Sequence, residues 1–156
     1  MSESTEIGRA EGPEVAAALR QTLRQVGRRA VVTVTSSSME PTLRAGDRVT
    51  IEGIDPSLLR CGDVVVFESP IAGLIVHRLV WAVPPVGGPQ ALYTKGDALP
   101  HLDRPFAARS VIGRVVAIER DGGRRTLGRA ASRARWVAIA ASWVLRRGLR
   151  GLGVTS

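Results

Sequence analysis

Cysteine is almost absent from this chain, in which Cys61 is the only one among 156 residues. No disulfide can form within the chain, so an apolar core must stabilise the fold in place of a disulfide framework. The sequence also lacks a Cys/His cluster at metal-ligand spacing, a phosphate-binding glycine loop and a dinucleotide fingerprint. We therefore expect no cofactor and no bound metal.

Long apolar runs are missing as well. The most apolar segment, 136–145, would reach only about 15 Å as a helix, half of a hydrocarbon core of about 30 Å. Near the N terminus, no apolar core follows a basic start, as a secretory signal peptide requires. These absences predict a cytoplasmic or peripheral membrane location without a spanning helix.

Acidic residues are too few to balance the basic ones, since 22 Lys and Arg face 14 Asp and Glu, for a net charge of +8. Such a surplus attracts anionic surfaces, either phospholipid or nucleic acid. Aromatic residues make up only 4% of the chain, and the basic segments hold almost none besides Trp136 and Trp143. Because there is also no room before Val31 for a repressor-type DNA-binding domain, nucleic acid is the disfavoured partner.

The central part of the chain has the pattern of a β-domain. Short β-rich runs alternate with Gly-Asp, Pro and Gly turn signals, and their spacing is even. With 44% apolar residues in a chain of this length, one domain is expected. We predict a mainly β, antiparallel, barrel-like domain over 30–128, with strands at 30–34, 49–51, 64–67, 74–81, 91–94 and 111–118.

The terminal segments differ from this centre. Residues 1–12 form a polar tail, and 13–29 predict an amphipathic helix with Leu19, Leu23 and Val26 on one face. Residues 129–150 predict a second helix, in which an apolar stretch with two tryptophans lies between arginine clusters. Each helix either lies on an anionic lipid surface or packs on the β-domain, and the sequence leaves both open.

One stretch, 35–47, organises the rest of the chain. It follows the first predicted strand, so its three serines, Ser36, Ser37 and Ser38, lie where a strand ends and the chain turns. A hydroxyl in that place can be presented as a nucleophile, although serines at strand ends more often bond to their own backbone. Asp47 and Asp63, each preceded by glycine, are predicted to be turn formers.

Several motifs that follow one another along the chain favour a catalytic role for these serines. Ser38-Met39-x-Pro41 is followed by Gly62-Asp63-Val64-Val65, by His77 in an apolar run, and by Lys95-Gly96-Asp97. Over about 31–118 this series resembles the type I signal peptidases and the related self-cleaving repressors. Since the base position holds His77 and not lysine, the sequence is similar to the endoplasmic-reticulum, archaeal and sporulation-type subtype.

The resemblance implies Ser38 as nucleophile, His77 as general base and Asp103 as the third member of the triad. Asp97 is the alternative acid, and it would otherwise be a turn or supporting residue. For the oxyanion, the resemblance implies the hydroxyl of Ser36, and the backbone N–H of Ser38 is a second candidate donor.

Two other side chains are rival bases. His101 lies in a predicted loop, and Lys95 stands outside the usual position of a catalytic lysine. Imidazole with its ordinary pKa is largely neutral at physiological pH and can accept the proton of a serine. We therefore favour His77.

The expected activity is that of a serine endopeptidase that cleaves a peptide or preprotein after small residues. The spanning helix that usually precedes the serine motif in signal peptidases is not found here, so export processing is one of two settings, beside maturation of a cytoplasmic precursor. Two other classes stay open: a non-catalytic β-barrel binding module that keeps the motifs for folding, and a basic nucleic-acid-binding protein.

Overall fold

The fold is mainly β. In a computed structural model, the described residues are 13–84 and 90–128, with the isolated residues 134, 137, 138 and 141. One helix, α1 (Pro13–Leu23), precedes eight strands. The strands are β1 (Arg29–Thr33), β2 (Arg48–Glu52), β3 (Val64–Ser69), β4 (Gly73–Val83), β5 (Ala91–Lys95), β6 (Phe106–Ala107), β7 (Val111–Arg120) and β8 (Gly123–Thr126).

All strand pairs are antiparallel and form one sheet in the order β1-β2-β7-β3-β4-β5-β6, and β8 pairs with β7 outside this order. Over the described ranges β1 and β6 do not pair with each other, so the sheet is open. The prediction of a mainly β, antiparallel domain is confirmed. The six predicted strands are all present, with ends that differ by a few residues.

Strand β3 explains how this sheet buries its apolar residues. Its first four residues, 64–67, are all buried between β7 and β4. Because successive side chains in a strand point to opposite faces, Val64 and Val66 join one core cluster while Val65 and Phe67 join another. A continuous apolar run is therefore what a central strand covered on both faces requires.

Helix α1 begins at Pro13, as predicted, but it ends at Leu23 and not at residue 29. Leu19 and Leu23 are buried in the first core cluster, whereas Val26 is 67% exposed. The prediction that Val26 shares a helix face with Leu19 and Leu23 is therefore wrong, since Val26 lies beyond the end of the helix. The chain leaves the helix because Gly27 and Arg28 pair with the backbone of Gly53 at the end of β2.

Two short strands were not predicted. Strand β6 has two residues, and β8 follows β7 through a turn at Asp121 and Gly122. Both are too short to give a period-2 signal. The predicted tail at 1–12 lies outside the described residues, as does nearly all of the predicted helix at 129–150. Within the described part, no helix is both long and apolar enough to cross a bilayer.

The two predicted turn-forming aspartates have that role. The carboxylate of Asp47 accepts the N–H of Arg44 at 2.8 Å, and that of Asp63 accepts the N–H of Arg60 at 2.9 Å. Each turn is also closed by a backbone hydrogen bond between the same two residues. The sequence Arg-x-Gly-Asp therefore forms the same turn before β2 and before β3.

Candidate active site

The serine segment leaves β1 and folds into a short helical turn. Val34 is held to the chain before β2 by its N–H to the carbonyl of Asp47, and the N–H of Leu43 reaches back to the carbonyl of Met39. Met39 and Leu43 are both buried in the first core cluster. Ser38 precedes Met39 directly, so a buried side chain fixes the backbone that carries its partly exposed hydroxyl.

Strand β4 brings His77 to this hydroxyl. The side chain is only 8% exposed, and the Nε2 atom lies 3.1 Å from the Oγ of Ser38. Val65 on β3 is the Cα partner of His77, and the ring of Phe67 meets the imidazole edge-on at 6.4 Å between centroids. The imidazole is therefore held by packing on β3 while one nitrogen faces the serine.

Asp103 occupies the other imidazole nitrogen. Its Oδ2 lies 2.5 Å from Nδ1 of His77 and accepts the hydroxyl of Thr94 at 2.7 Å. The backbone N–H of Asp103 donates to the carbonyl of Thr94, which ties the loop to β5. A carboxylate so placed fixes the tautomer with the proton on Nδ1 and leaves Nε2 free to accept the serine proton.

The pKa of Asp103 is lowered below its usual value. Partial burial raises this pKa, but the hydrogen bonds from His77 and Thr94, with the charges of His77 and His101, lower it by more. Asp103 is therefore ionised at neutral pH, which is the state that stabilises an imidazolium beside it.

The two predicted oxyanion donors lie at the serine. The Oγ of Ser36 is 3.3 Å from the Oγ of Ser38, and Ser36 is exposed. Over 13–84 and 90–128, the N–H of Ser38 has no hydrogen-bond acceptor. Both groups are therefore available to a carbonyl oxygen that approaches Ser38.

Asp97 lies apart from the imidazole, in a second buried network. Both of its carboxylate oxygens accept from the guanidinium of Arg78, at 2.8 and 2.7 Å, and the hydroxyl of Thr42 also donates to it. Arg78 also donates to the carbonyl of Gly62 at 2.9 Å and to Thr42 at 3.2 Å. Asp97 therefore supports the turn that contains Ser38 and Thr42, whereas Asp103 is the aspartate that contacts the imidazole of His77.

Gly96 makes this arrangement possible. A Cβ atom at this position would lie 2.6 Å from the carbonyl oxygen of Ser38 and 2.9 Å from the side chain of Leu99. The same carbonyl accepts the N–H of Ala98 at 2.9 Å. The chain after β5 therefore passes directly against the backbone of the serine.

Next to Ser38 lies an open cavity of about 320 Å³. Its polar lining residues are Thr33, Thr35, Ser36, Ser38 and His77, of which Thr35 and Ser36 are exposed. The apolar lining comes from α1, β1, β2, β3, β4 and the two loops at the site: Leu19, Val32, Val34, Met39, Leu43, Ile51, Val66, Leu74, Ile75, Val76 and Leu99.

The rival bases lie elsewhere in the geometry. Lys95 is buried and donates to the carbonyl of Gly96 at 3.2 Å, and His101 is exposed. Among residues 13–84 and 90–128, no group of three or more His, Cys, Asp and Glu side chains could hold a metal ion.

The sequence did not predict the supporting contacts of Thr94, Arg78 and Thr42. Only Arg78 could have been suspected, because it directly follows His77.

A comparison of the chain with protein-family models and with curated proteins gave no match.

Proposed function

We propose that this protein is a serine endopeptidase that uses Ser38, His77 and Asp103 as its catalytic triad. The observation that carries the proposal is the hydrogen-bonded series from Ser38 Oγ to His77 Nε2 and from His77 Nδ1 to Asp103 Oδ2. Nucleophilic catalysis by serine needs a hydroxyl next to an imidazole nitrogen and a carboxylate at the other imidazole nitrogen. These three residues, from distant parts of the chain, have that arrangement.

The proposed reaction follows from these contacts. The Oγ of Ser38 attacks the scissile carbonyl while His77 takes its proton at Nε2, and Asp103 stabilises the resulting imidazolium. The N–H of Ser38 and the hydroxyl of Ser36 donate to the oxyanion. His77 then gives the proton to the leaving amine, and a water molecule, activated by the same imidazole, hydrolyses the ester on Ser38.

The substrate is proposed to be a peptide or preprotein in extended conformation. Over the described residues, β1 pairs with β2 alone, and the part of β4 from 73 to 77 pairs with β3 alone. These two free edges offer backbone donors and acceptors beside the cavity, so an added strand can place alternate side chains in it. The cavity of about 320 Å³ has the size of a ligand pocket, so it can receive such side chains. The preference for small residues before the scissile bond is proposed from the resemblance.

We also propose that the open sheet belongs to the barrel-like fold of the signal peptidases and self-cleaving repressor peptidases, in their histidine subtype. The support is the order of the motifs along the chain together with the contacts of Ser38, His77 and Asp103. The setting is proposed to be maturation of a precursor in the cytoplasm or at an anionic membrane surface, or processing of exported preproteins.

The test is cleavage of an Ala-x-Ala peptide by the wild type and by Ser38→Ala, His77→Ala and Ser37→Ala. Loss of the nucleophile or of the base should lower kcat/KM by several orders of magnitude. Ser37→Ala is the matched control, because the side chain of Ser37 is exposed and makes no hydrogen bond within the described residues. Equal turnover by all four proteins would overturn the proposal.

A further inference from the structure

The N-terminal helix contributes to the lining of the cavity beside Ser38. Leu19 is the lining residue that α1 contributes within the described part of the chain. Its side chain is fully buried, with 0% exposure, so it lies beneath the cavity and not at its mouth. Ser38, which is partly exposed, and His77 line the same cavity.

The helix is held firmly in this position. Leu19 and Leu23 are both buried, and α1 packs on β1, β4 and β7. Arg20 forms an ion pair with Glu68 at the end of β3. At the far end of the helix, a Cβ on Gly53 would lie 2.4 Å from the carbonyl oxygen of Leu23, so β2 and the end of α1 are in direct backbone contact.

We propose that Leu19 determines substrate specificity by setting the depth of the pocket that receives a substrate side chain. This inference rests on the proposed peptidase function. A strand added along the free edges of β1 and β4 points alternate side chains into the cavity, and the isobutyl group of Leu19 limits how far they reach. Helix α1 is thus a wall of the specificity pocket as well as a core element.

The experiment compares peptides with Ala and with Leu at the first or the third residue before the scissile bond. The measured quantity is the ratio of kcat/KM for the Leu and Ala peptides, taken on one enzyme preparation, because the fraction of folded enzyme cancels in that ratio. One missing methylene in an apolar pocket changes selectivity by about tenfold or more. Leu19→Ala should therefore raise the ratio at least about tenfold at one of the two positions, and Leu19→Val should raise it by a smaller factor.

The matched control is Leu23→Ala, which removes the same atoms from the same helix and the same core cluster but not from the cavity. Its ratio should equal that of the wild type even where its thermal stability falls as much as that of Leu19→Ala. An unchanged ratio in both Leu19 variants, or equal changes in Leu19→Ala and Leu23→Ala, would overturn the inference and leave the peptidase proposal intact. Absence of cleavage that depends on Ser38 in the wild type would overturn both.

Discussion

At the scale of single residues, the site depends on two carboxylates with different partners. Asp103 is partly exposed and faces His77, whereas the side chain of Asp97 is only 2% exposed and is paired with Arg78. Loss of a carboxylate beside the imidazole of a serine–histidine pair lowers kcat. Loss of a carboxylate from a buried pair with a guanidinium lowers the free energy of unfolding. The two residues should therefore respond differently to the same substitution.

Asp103→Asn should lower kcat on the order of 10³- to 10⁴-fold in the peptide assay. The amide removes the charge that stabilises the imidazolium and no longer fixes the tautomer of His77. The free energy of unfolding should fall less than in Asp97→Asn, because Asp103 is partly exposed and the amide oxygen can still accept from Thr94. Activity near that of the wild type would contradict the role given to Asp103.

Asp97→Asn should act mainly on folding. It leaves the guanidinium of Arg78, which is 1% exposed, without its carboxylate, and breaking a buried ion pair from one side costs about 3–5 kcal/mol. Urea unfolding at pH 7 measures this loss. If the variant kept the stability of the wild type but lost its activity, Asp97 and not Asp103 would be the better candidate for the acid.

Asp47 predicts a pH dependence of stability. Its pKa lies below the ordinary value of 3.8, chiefly because the guanidinium of Arg120 donates to it; burial opposes this, and the N–H of Arg44 lowers the pKa further. A lowered pKa means that the unfolded chain binds protons first, so this stabilisation is complete above about pH 4 and is lost as pH falls through the folded pKa. Asp47→Asn should therefore be less stable than the wild type at pH 6.

Urea midpoints from pH 6 to pH 2.5 test this dependence. The difference between the two proteins should shrink as the pH falls, because protonation of Asp47 in the wild type removes the same interaction that the substitution removes. A difference that stays constant over this range would show that the charge of Asp47 contributes nothing.

At the scale of elements, β4 serves the site from both of its faces. Adjacent strand residues point to opposite sides, so His77 faces Ser38 and Asp103 while Arg78 faces Asp97 and Thr42. Thr42 belongs to the same turn as Ser38. One strand therefore carries the proposed base and also, through the contact of Arg78 with Thr42, supports the turn that carries the proposed nucleophile.

The close passage of the chain after β5 is the second contact between elements, and Gly96→Ala tests it. The added Cβ would meet the carbonyl of Ser38 at 2.6 Å, so one of the two backbones must move. We expect a drop in kcat/KM of at least tenfold, because displacement of the nucleophile by about 1 Å can cost about a hundredfold.

Gly123→Ala is the control for that substitution. In β8, an added Cβ would come no nearer than 3.4 Å to the carbonyl of Arg120, which is ordinary contact. This variant should keep the activity of the wild type. Equal losses in the two variants would show that the effect of Gly96→Ala is general destabilisation and not displacement of Ser38.

At the scale of the whole molecule, the net charge and the sequence of the C-terminal segment predict which surface the protein binds. The net charge is +8, and in the sequence at 129–150 Trp136 and Trp143 lie between arginines, a pattern typical of segments that bind anionic lipid. We predict that the protein sediments with vesicles that contain phosphatidylserine and not with neutral vesicles, and that about 1 M salt reduces the bound fraction.

A chain that ends at Gly128 tests which segment binds. It should lose most of the binding if 129–150 is the lipid-binding segment. Binding to neutral vesicles as strong as to anionic ones would contradict the electrostatic attraction. A salt-sensitive shift on DNA, without binding to anionic vesicles, would favour a nucleic-acid-binding protein instead.

Some elements of this fold could be predicted from the sequence and others could not, for physical reasons. The six longer strands were predictable, since an apolar run between turn residues depends on local chemistry alone. The end of α1 was not, because Val26 continues the apolar period and the helix stops only where its end meets Gly53. The pair of Arg78 and Asp97 was equally hidden, since residues 19 positions apart carry no local sign of contact.

By itself, the sequence determined the strands, the turns at Asp47 and Asp63 and the candidates Ser38, His77, Asp97 and Asp103, because residue type, period and motif order are properties of the chain. Only the tertiary structure decided which aspartate meets the imidazole, that Leu19 of α1 lines the cavity, and that Gly96 must lack a side chain. These depend on distances between segments far apart in sequence, which are set when the sheet forms and packs.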